Sequence, residues 1–260
     1  MLLAVRFVTF PSALKQPTAL FVALFPAVLW LRFSWLRERT VPEPRQGLLL
    51  VAVIAALAAN AVGVPFVNNV LRPDEWLPLS GAVSRIVGYA FTVGVIHEFI
   101  RYLVVRFTVW PSQYRTRLDA VAYGAAAAVG YATVLNLHFV LSADPTPEVA
   151  ALRVFDELVR QVAGGIIVGY GLAEVRFNTR PFPFLLAATI AFATLITGIA
   201  IPVASGLANV TLSVNSPVTA ANPLRGFLFS ALLIVGVAAM LVFLYNTAIR
   251  QDQEAAAGEV

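Results

Sequence analysis

The sequence predicts an all-α, polytopic transmembrane helix bundle. Of its 260 residues, 59% are hydrophobic and only 12% are charged, and its mean hydropathy is +0.81. A water-soluble domain with this composition would expose large apolar patches. The apolar residues also form long, uninterrupted runs that reach the roughly 20 residues a helix needs to cross a bilayer, and they lack the alternation of an outer-membrane barrel.

The predicted spans follow one another without a long linker, so we expect a single integral membrane domain over residues 1–260. In chain order they are 18–36, 47–66, 82–109, 118–142, 152–176, 183–205 and 224–249. Four tryptophans lie near span ends, where an indole favours the headgroup level: Trp30, Trp35, Trp76 and Trp110. Residues 1–10 are apolar but too short to span, and without a cleavable signal site they predict an interfacial segment.

The arginines predict the orientation of the bundle. They concentrate in the loops after the first, third and fifth spans, namely Arg37, Arg39, Arg45, Arg106, Arg115, Arg117, Arg176 and Arg180. The opposite loops carry Arg72 beside Asp74 and Glu75, then Asp144 and Glu148, then the uncharged run 209–222. Since basic loops remain in the cytoplasm, we expect the N-terminus outside and the C-terminus inside, in a bacterial cytoplasmic membrane.

Composition also excludes several classes of function. The chain has no cysteine, which excludes disulfides, thiolate metal sites and cysteine nucleophiles. Its net charge of +4 is small and dispersed among the loops, so nucleic-acid binding is not expected. The expected partners are membrane lipid and other membrane proteins.

Charged and strongly polar residues inside the spans are the candidates for function, because each intramembrane charge costs at least about 2.5 kcal/mol unless it is paired. The third span carries His97, Glu98 and Arg101, and helical spacing places Arg101 on the face of both others. The fourth span adds Asn136 and His138. A local ion pair is therefore expected in the third span.

The fifth span carries a second polar group of four residues, Asp156, Glu157, Arg160 and Gln161. The spacing of Asp156 and Arg160 allows an i,i+4 ion pair, and Glu157 is a further candidate partner. Two interpretations remain open for all these intramembrane residues. They form a buried hydrogen-bonded network that stabilises the bundle, or they form a functional site.

Small residues in the fourth span, Gly124, Ala128 and Gly130, predict close packing of the third, fourth and fifth spans.

The depths of His97 and His138 in the membrane bear on whether both histidines could belong to one site. Counting helical rise from the cytoplasmic ends places His138 roughly 30 Å and His97 roughly 18 Å into their spans, about two turns apart.

Four motifs stand in order along residues 40–171: Pro42-Glu43-Pro44-Arg45, residues 97–101, and the segments 119–136 and 161–171. Together they resemble the PrsW family of intramembrane metalloproteases. Pro42-Glu43-Pro44-Arg45 resembles its Pro-Glu-Pro signature, and residues 97–101 fall where the family has Glu-Glu-x-x-Lys. The segment 119–132 resembles its glycine-rich fourth span, which the family continues with Phe-x-x-x-Glu-Asn and this chain with residues 133–136. The segment 161–171 resembles a fifth-span motif that usually begins with histidine.

The resemblance implies a fold related to the CAAX-processing proteases and a site in which acidic residues and histidine activate water, on a metal ion. Carried over position by position, His97 replaces the first glutamate, Leu135 the later glutamate and Gln161 the histidine. Glu98 alone keeps the family's residue type. Leucine cannot bind a metal, and a glutamine amide binds transition metals far less well than imidazole. We therefore expect no metal and no cofactor; zinc is expected only if activity is retained.

Four hypotheses follow from the sequence. The leading one is a PrsW-like membrane protein that has lost proteolysis and acts as a scaffold, binding or accessory subunit. The second is an active intramembrane peptidase, in which Glu98 is the general base and His97, with Gln161 or Asp156, positions water or zinc. The third is a subunit of a larger complex that binds haem or pigment through His97 or His138. A transporter is the weakest, since no pair of broken helices is evident.

Overall fold

The computed structural model describes residues 11–38, 45–178, 180–208 and 223–258. In this part of the chain the regular elements are all helical. They are α1 (Ser12–Glu38), α2 (Leu48–Ala58), α3 (Pro73–Trp76), α4 (Ala82–Tyr89), α5 (Val95–Thr108), α6 (Arg117–Ala143), α7 (Pro147–Phe177), α8 (Leu185–Ala208) and α9 (Pro223–Gly258). The π-helical segments Ala59–Gly63 and Phe66–Leu71 lie between α2 and α3, and a third, Ala90–Gly94, joins α4 to α5.

The predicted fold class is confirmed. Within the described residues, six helical stretches are long and apolar enough to cross a membrane: Ala13–Leu36, Leu48–Trp76, Ala82–Thr108, Arg117–Ala143, Pro147–Phe177 and Leu185–Ala204. The predicted seventh span, 224–249, lies within α9, where the apolar stretch Ala231–Thr247 is shorter than the other six. The orientation of the bundle stays a prediction. The interfacial segment 1–10, the Pro-Glu-Pro motif 42–44 and the loop 209–222 lie outside the described residues.

The second and fifth spans are longer than predicted. The second continues beyond residue 66 because the π-helical segments carry the chain on to α3, which begins with Pro73 after Arg72 in a left-handed conformation at φ 46°. Asp74, predicted in a loop, therefore lies on a helix. The fifth begins at Pro147 instead of 152, because Thr146 caps it by accepting a hydrogen bond from the backbone nitrogen of Val149. This moves Arg153 from the edge of the predicted span into the second turn of the helix.

Close packing of α6 against α7 forms the centre of the bundle. At Gly124 a side chain would meet the backbone carbonyl of Gly165 and the Cα of Gly169, so only a hydrogen fits there. Gly130 packs in the same way against the carbonyl of Ala52 on α2. The predicted small-residue face therefore packs the fourth span against the fifth, whereas Gly130 packs it against the second span and not the third.

Large apolar side chains cover the outside of the bundle, as expected for a surface in contact with lipid. Phe91, Phe107 and Phe243 are among the exposed residues. In contrast, Glu98 and Arg101 are almost completely buried. The distribution is the reverse of that in a soluble protein, because lipid solvates the apolar exterior while the charges pair inside.

One end of the bundle is joined by ion pairs around Arg45. Its guanidinium lies 3.0 Å from Glu38 on α1 and 2.7 Å from Asp119 at the start of α6. Burial alone would lower the pKa of Arg45, but hydrogen bonds and charge interactions with Glu38 and Asp119 raise it above its ordinary value. Asp119 also completes a capping box with Thr116. The arginine of the Pro-Glu-Pro-Arg motif therefore links α1 to α6.

Candidate functional site

The polar residues of the third span are buried where α5 faces α7. His97 is 4% exposed and Glu98 is completely buried. Arg101 forms an ion pair with Glu98, donates to the backbone carbonyl of Gln161, and donates from Nε to the carbonyl of His97 at 3.3 Å. The predicted local ion pair is confirmed, and its arginine also binds α7.

Gln161 connects this group to the fifth span. Its amide nitrogen lies 2.7 Å from Oε1 of Glu157 and 3.0 Å from Nδ1 of His97. Since both neighbours accept, the amide donates one hydrogen to each, and the network assigns His97 the neutral form with its proton on Nε2. Glu157, one of the acids proposed as a partner of Arg160, accepts a hydrogen bond from it. A continuous polar chain therefore runs from His97 through Gln161 and Glu157 to Arg160.

The fourth span contributes Tyr131, which was not among the predicted polar residues, as well as His138 and Asn136, which were. The ring of Tyr131 lies 4.9 Å from that of His97, centroid to centroid, and the Arg101 guanidinium lies 5.9 Å from the Tyr131 ring. His138 Nε2 lies 3.0 Å from Oδ1 of Asn60 in the first π-helical segment. Asn136 is buried. His138 is therefore held by the second span.

A cavity of about 70 Å³ adjoins the polar chain. Its lining residues come from the second to sixth spans: Val64, Val67, Asn68, Pro73, Asp74, Tyr89, Val93, His97, Leu135, His138, Arg153, Glu157, Arg160 and Ile201. Both histidines line it, although helix counting had placed them about two turns apart in depth. Glu98 and Gln161 are not lining residues, so both lie behind the cavity wall. Asp156 lies on α7 beside Glu157, outside this lining.

Four polar residues of the cavity were missed by sequence reasoning: Asn68, Asp74, Tyr89 and Arg153. Asp74 had been assigned to a loop, and Arg153 stood at the edge of a span predicted to begin at 152. A usable signal existed in Pro73 and Pro147, because proline is common in the first turn of a helix and both begin helices here. A helix predicted to begin at Pro73 would have included Asp74, and one predicted to begin at Pro147 would have moved Arg153 from the edge of the fifth span into its second turn.

The comparisons with known proteins agree with this arrangement. A family model described as PrsW family intramembrane metalloprotease matches residues 43–258. The chain belongs to the PrsW family. It is also 22% identical over 166 residues to Protease PrsW of Geobacillus kaustophilus (strain HTA426), an alignment that covers 63% of this chain and 69% of that protein. No solved structure matches it significantly.

The positions carried over from PrsW motifs meet in the structure. Gln161 bonds directly to His97, and Leu135 lines the same cavity as His97. Glu98 reaches the backbone of the Gln161 turn through Arg101. Residues that are 64 positions apart in sequence are thus neighbours. Of the Pro-Glu-Pro-Arg motif, the structure describes Arg45.

The family description implies a metal ion, and the residues present do not fit one. A hydrolytic zinc site takes three protein ligands and leaves a position for water. In the described ranges, no three His, Cys, Asp or Glu side chains are grouped so that they could hold a metal. Nδ1 of His97 accepts a hydrogen bond from Gln161, and the ring proton is therefore on Nε2. Moving that proton to Nδ1 would direct it at an amide nitrogen that is itself a donor, so neither ring nitrogen is free to bind a metal ion. Leu135 offers no donor atom.

Proposed function

We propose that this PrsW-family protein is a scaffold, binding or accessory protein of the membrane that has lost proteolysis. The observation that supports this most directly is the amide of Gln161, which donates to both His97 and Glu157. In this arrangement the imidazole and the carboxylate have a neutral partner between them. Neither the imidazole of His97 nor the carboxylate of Glu157 therefore needs a metal ion as a partner.

The state of Glu98 supports the same proposal. A general base must reach the water that it activates, directly or through one intervening water. Glu98 is completely buried, forms an ion pair with Arg101 and is not a lining residue of the cavity. Breaking a buried ion pair to free it costs about 3–5 kcal/mol. Glu98 is therefore better suited to hold Arg101 than to serve as a base.

We place the protein in a bacterial cytoplasmic membrane, with the N-terminus outside, in contact with lipid and other membrane proteins. The arginine distribution among the loops supports this orientation. The apolar exterior, with residues such as Phe91 and Phe107 exposed, supports a lateral surface for lipid or partner helices. A metal or cofactor is not part of this proposal.

Two experiments together test the loss of proteolysis. A panel of single-span membrane proteins is co-expressed with the wild type, Glu98→Gln or Glu98→Ala, and fragments are detected by immunoblot. We expect the same pattern with all three. Cleavage that requires Glu98 would overturn the proposal in favour of an active peptidase.

The second experiment is independent of substrate choice. Elemental analysis of the purified wild type is compared with His97→Ala and with the loop variant Gln113→Ala as a control. We expect no stoichiometric zinc in any of them. Stoichiometric zinc that disappears on His97→Ala would contradict the proposal, and a visible haem or pigment spectrum lost in the same variant would favour the third hypothesis.

A further inference from the structure

The cavity carries hydrogen-bond donors that nothing in the described part of the chain satisfies. Nε and Nη1 of Arg160 and Nε of Arg153 are buried without a hydrogen-bond partner there. Arg160 is only 4% exposed, and both arginines line the cavity. A buried donor left unpaired costs about 1–3 kcal/mol, more when it belongs to a charged group. The two arginine side chains therefore border the cavity with hydrogen-bonding capacity that the described residues do not use.

The two acids that line the cavity already accept hydrogen bonds. Both oxygens of Glu157 accept hydrogen bonds, one from Arg160 and one from Gln161. Oδ1 of Asp74 accepts from the hydroxyl of Tyr89 at 3.3 Å. Among the described residues, the buried partnerless atoms that line the cavity are all guanidinium nitrogens. These guanidinium donors therefore lack oxygen atoms that accept hydrogen bonds from them.

Charge alone does not decide the ligand, because two arginines and two acids line the cavity and offset each other formally. The unpaired guanidinium donors indicate the class of ligand instead. Guanidinium nitrogens bind carboxylate and phosphate oxygens strongly and cannot bind a metal cation. A volume of about 70 Å³ accommodates a group of a few non-hydrogen atoms with one or two waters. A neutral imidazole at His97, with its proton on Nε2, adds a further donor on the cavity wall.

We propose that this cavity binds a small oxyanion, a carboxylate or phosphate group, through the free guanidinium donors of Arg153 and Arg160. The group belongs either to a dissolved anion or to a lipid headgroup that reaches the cavity. The proposal does not depend on whether proteolysis is retained, because neither arginine belongs to the positions carried over from the PrsW motifs. It names a ligand for the polar interior in place of a metal ion.

The first test uses the absence of native cysteine, since Leu135→Cys becomes a single reporter on the cavity wall. Its reaction with an anionic sulfonate methanethiosulfonate reagent is compared with that of the cationic trimethylammonium analogue in detergent. Leu79→Cys, at a position that is 91% exposed, is the control. We expect the anionic-to-cationic rate ratio at 135 to exceed that at 79 by about tenfold or more, because the sulfonate oxygens accept hydrogen bonds from the guanidinium groups. Equal ratios would overturn the proposal in favour of a cavity filled by water.

The second test measures binding of inorganic phosphate and of acetate by calorimetry at constant ionic strength, with chloride as the balancing anion. Arg153→Gln and Arg153→Lys should each weaken binding about tenfold, because lysine keeps the charge but lacks the Nε donor. Arg180→Gln, at an exposed site, should bind like the wild type. Unchanged binding in both Arg153 variants would overturn the proposal, and retention of a folded melting transition excludes simple unfolding.

A lipid arm identifies the source of the oxyanion. Native mass spectrometry counts phosphatidylglycerol and phosphatidylcholine retained by the wild type and by Arg153→Gln. If a headgroup is the ligand, phosphatidylglycerol is retained and is lost in Arg153→Gln, while added phosphate competes weakly. If a dissolved anion is the ligand, calorimetry detects phosphate or acetate binding and lipid retention is equal. Failure of both arms would refute the oxyanion site, and it would leave the cleavage and zinc results unaffected.

Discussion

The side-chain nitrogen of Gln161 lies 3.0 Å from Nδ1 of His97, across the interface between α5 and α7. This contact joins two positions at which we expect, from the sequence, a departure from the PrsW motifs. The same amide reaches Glu157 at 2.7 Å. The two side chains therefore belong to one hydrogen-bonded unit.

Replacing Gln161 with leucine should destabilise the bundle by about 1–3 kcal/mol, because Nδ1 of His97 and Oε1 of Glu157 each lose a buried hydrogen bond. Leucine has nearly the same volume, so a cavity contributes little. The measurement is the melting temperature in detergent. Gln113→Leu, in the loop between α5 and α6, is the matched control and should melt like the wild type. If the two variants melted at the same temperature, the Gln161 amide would make no contribution to the stability of the bundle.

Replacing Glu98 with alanine should cost about 3–5 kcal/mol, because Arg101 would remain as a buried charge without its acid. A thermal-shift assay in detergent measures the loss. Glu75→Ala is the control, since Glu75 pairs with Arg72 on an exposed surface where such a pair contributes little. An unchanged transition in Glu98→Ala would contradict the structural importance of the pair.

Replacing Gly124 with valine should destabilise the protein by about 3 kcal/mol, since the new side chain would meet the backbone of Gly165 and Gly169, which cannot rotate away. Gly81→Val is the control, because nothing lies within 4 Å of the corresponding Cβ. Yield of monodisperse protein and melting temperature are the readouts. A Gly124→Val variant as stable as Gly81→Val would mean that α6 and α7 are further apart than described.

The pairing of Arg45 with Asp119 can be isolated by a double-mutant cycle of Arg45→Met and Asp119→Asn. We expect a coupling free energy of about 1–2 kcal/mol, because the 2.7 Å contact is mostly buried and Arg45 keeps Glu38 as a partner when Asp119 is replaced. Guanidinium chloride would screen the pair, so urea is the denaturant. Additive effects of the two substitutions would show that the helices are joined without this contact.

The PrsW resemblance marked His97, Leu135 and Gln161 as motif positions before any geometry was known, and the structure brings them to one region. Their place in a family mechanism stays a prediction. Asp74 was not predictable as a cavity residue, since π-helical turns shifted the limit of the second span by several residues, and Arg153, although inside the predicted fifth span, belongs to no motif that marks it. Such shifts change which face of a helix a residue occupies.

The sequence by itself determined that this chain is an all-helical membrane protein, because apolar length and composition depend on the order of residues alone. It also determined the local pair of Glu98 and Arg101, since residues three apart on a helix are always neighbours. Only the tertiary structure decided that Gln161 lies between His97 and Glu157, and that Arg153 and Arg160 share a cavity with both histidines. Contacts between helices depend on how far each helix is rotated about its axis and how deep it lies in the bundle. Close packing at Gly124 determines both for α6 and α7, and residue spacing along the chain does not reveal them.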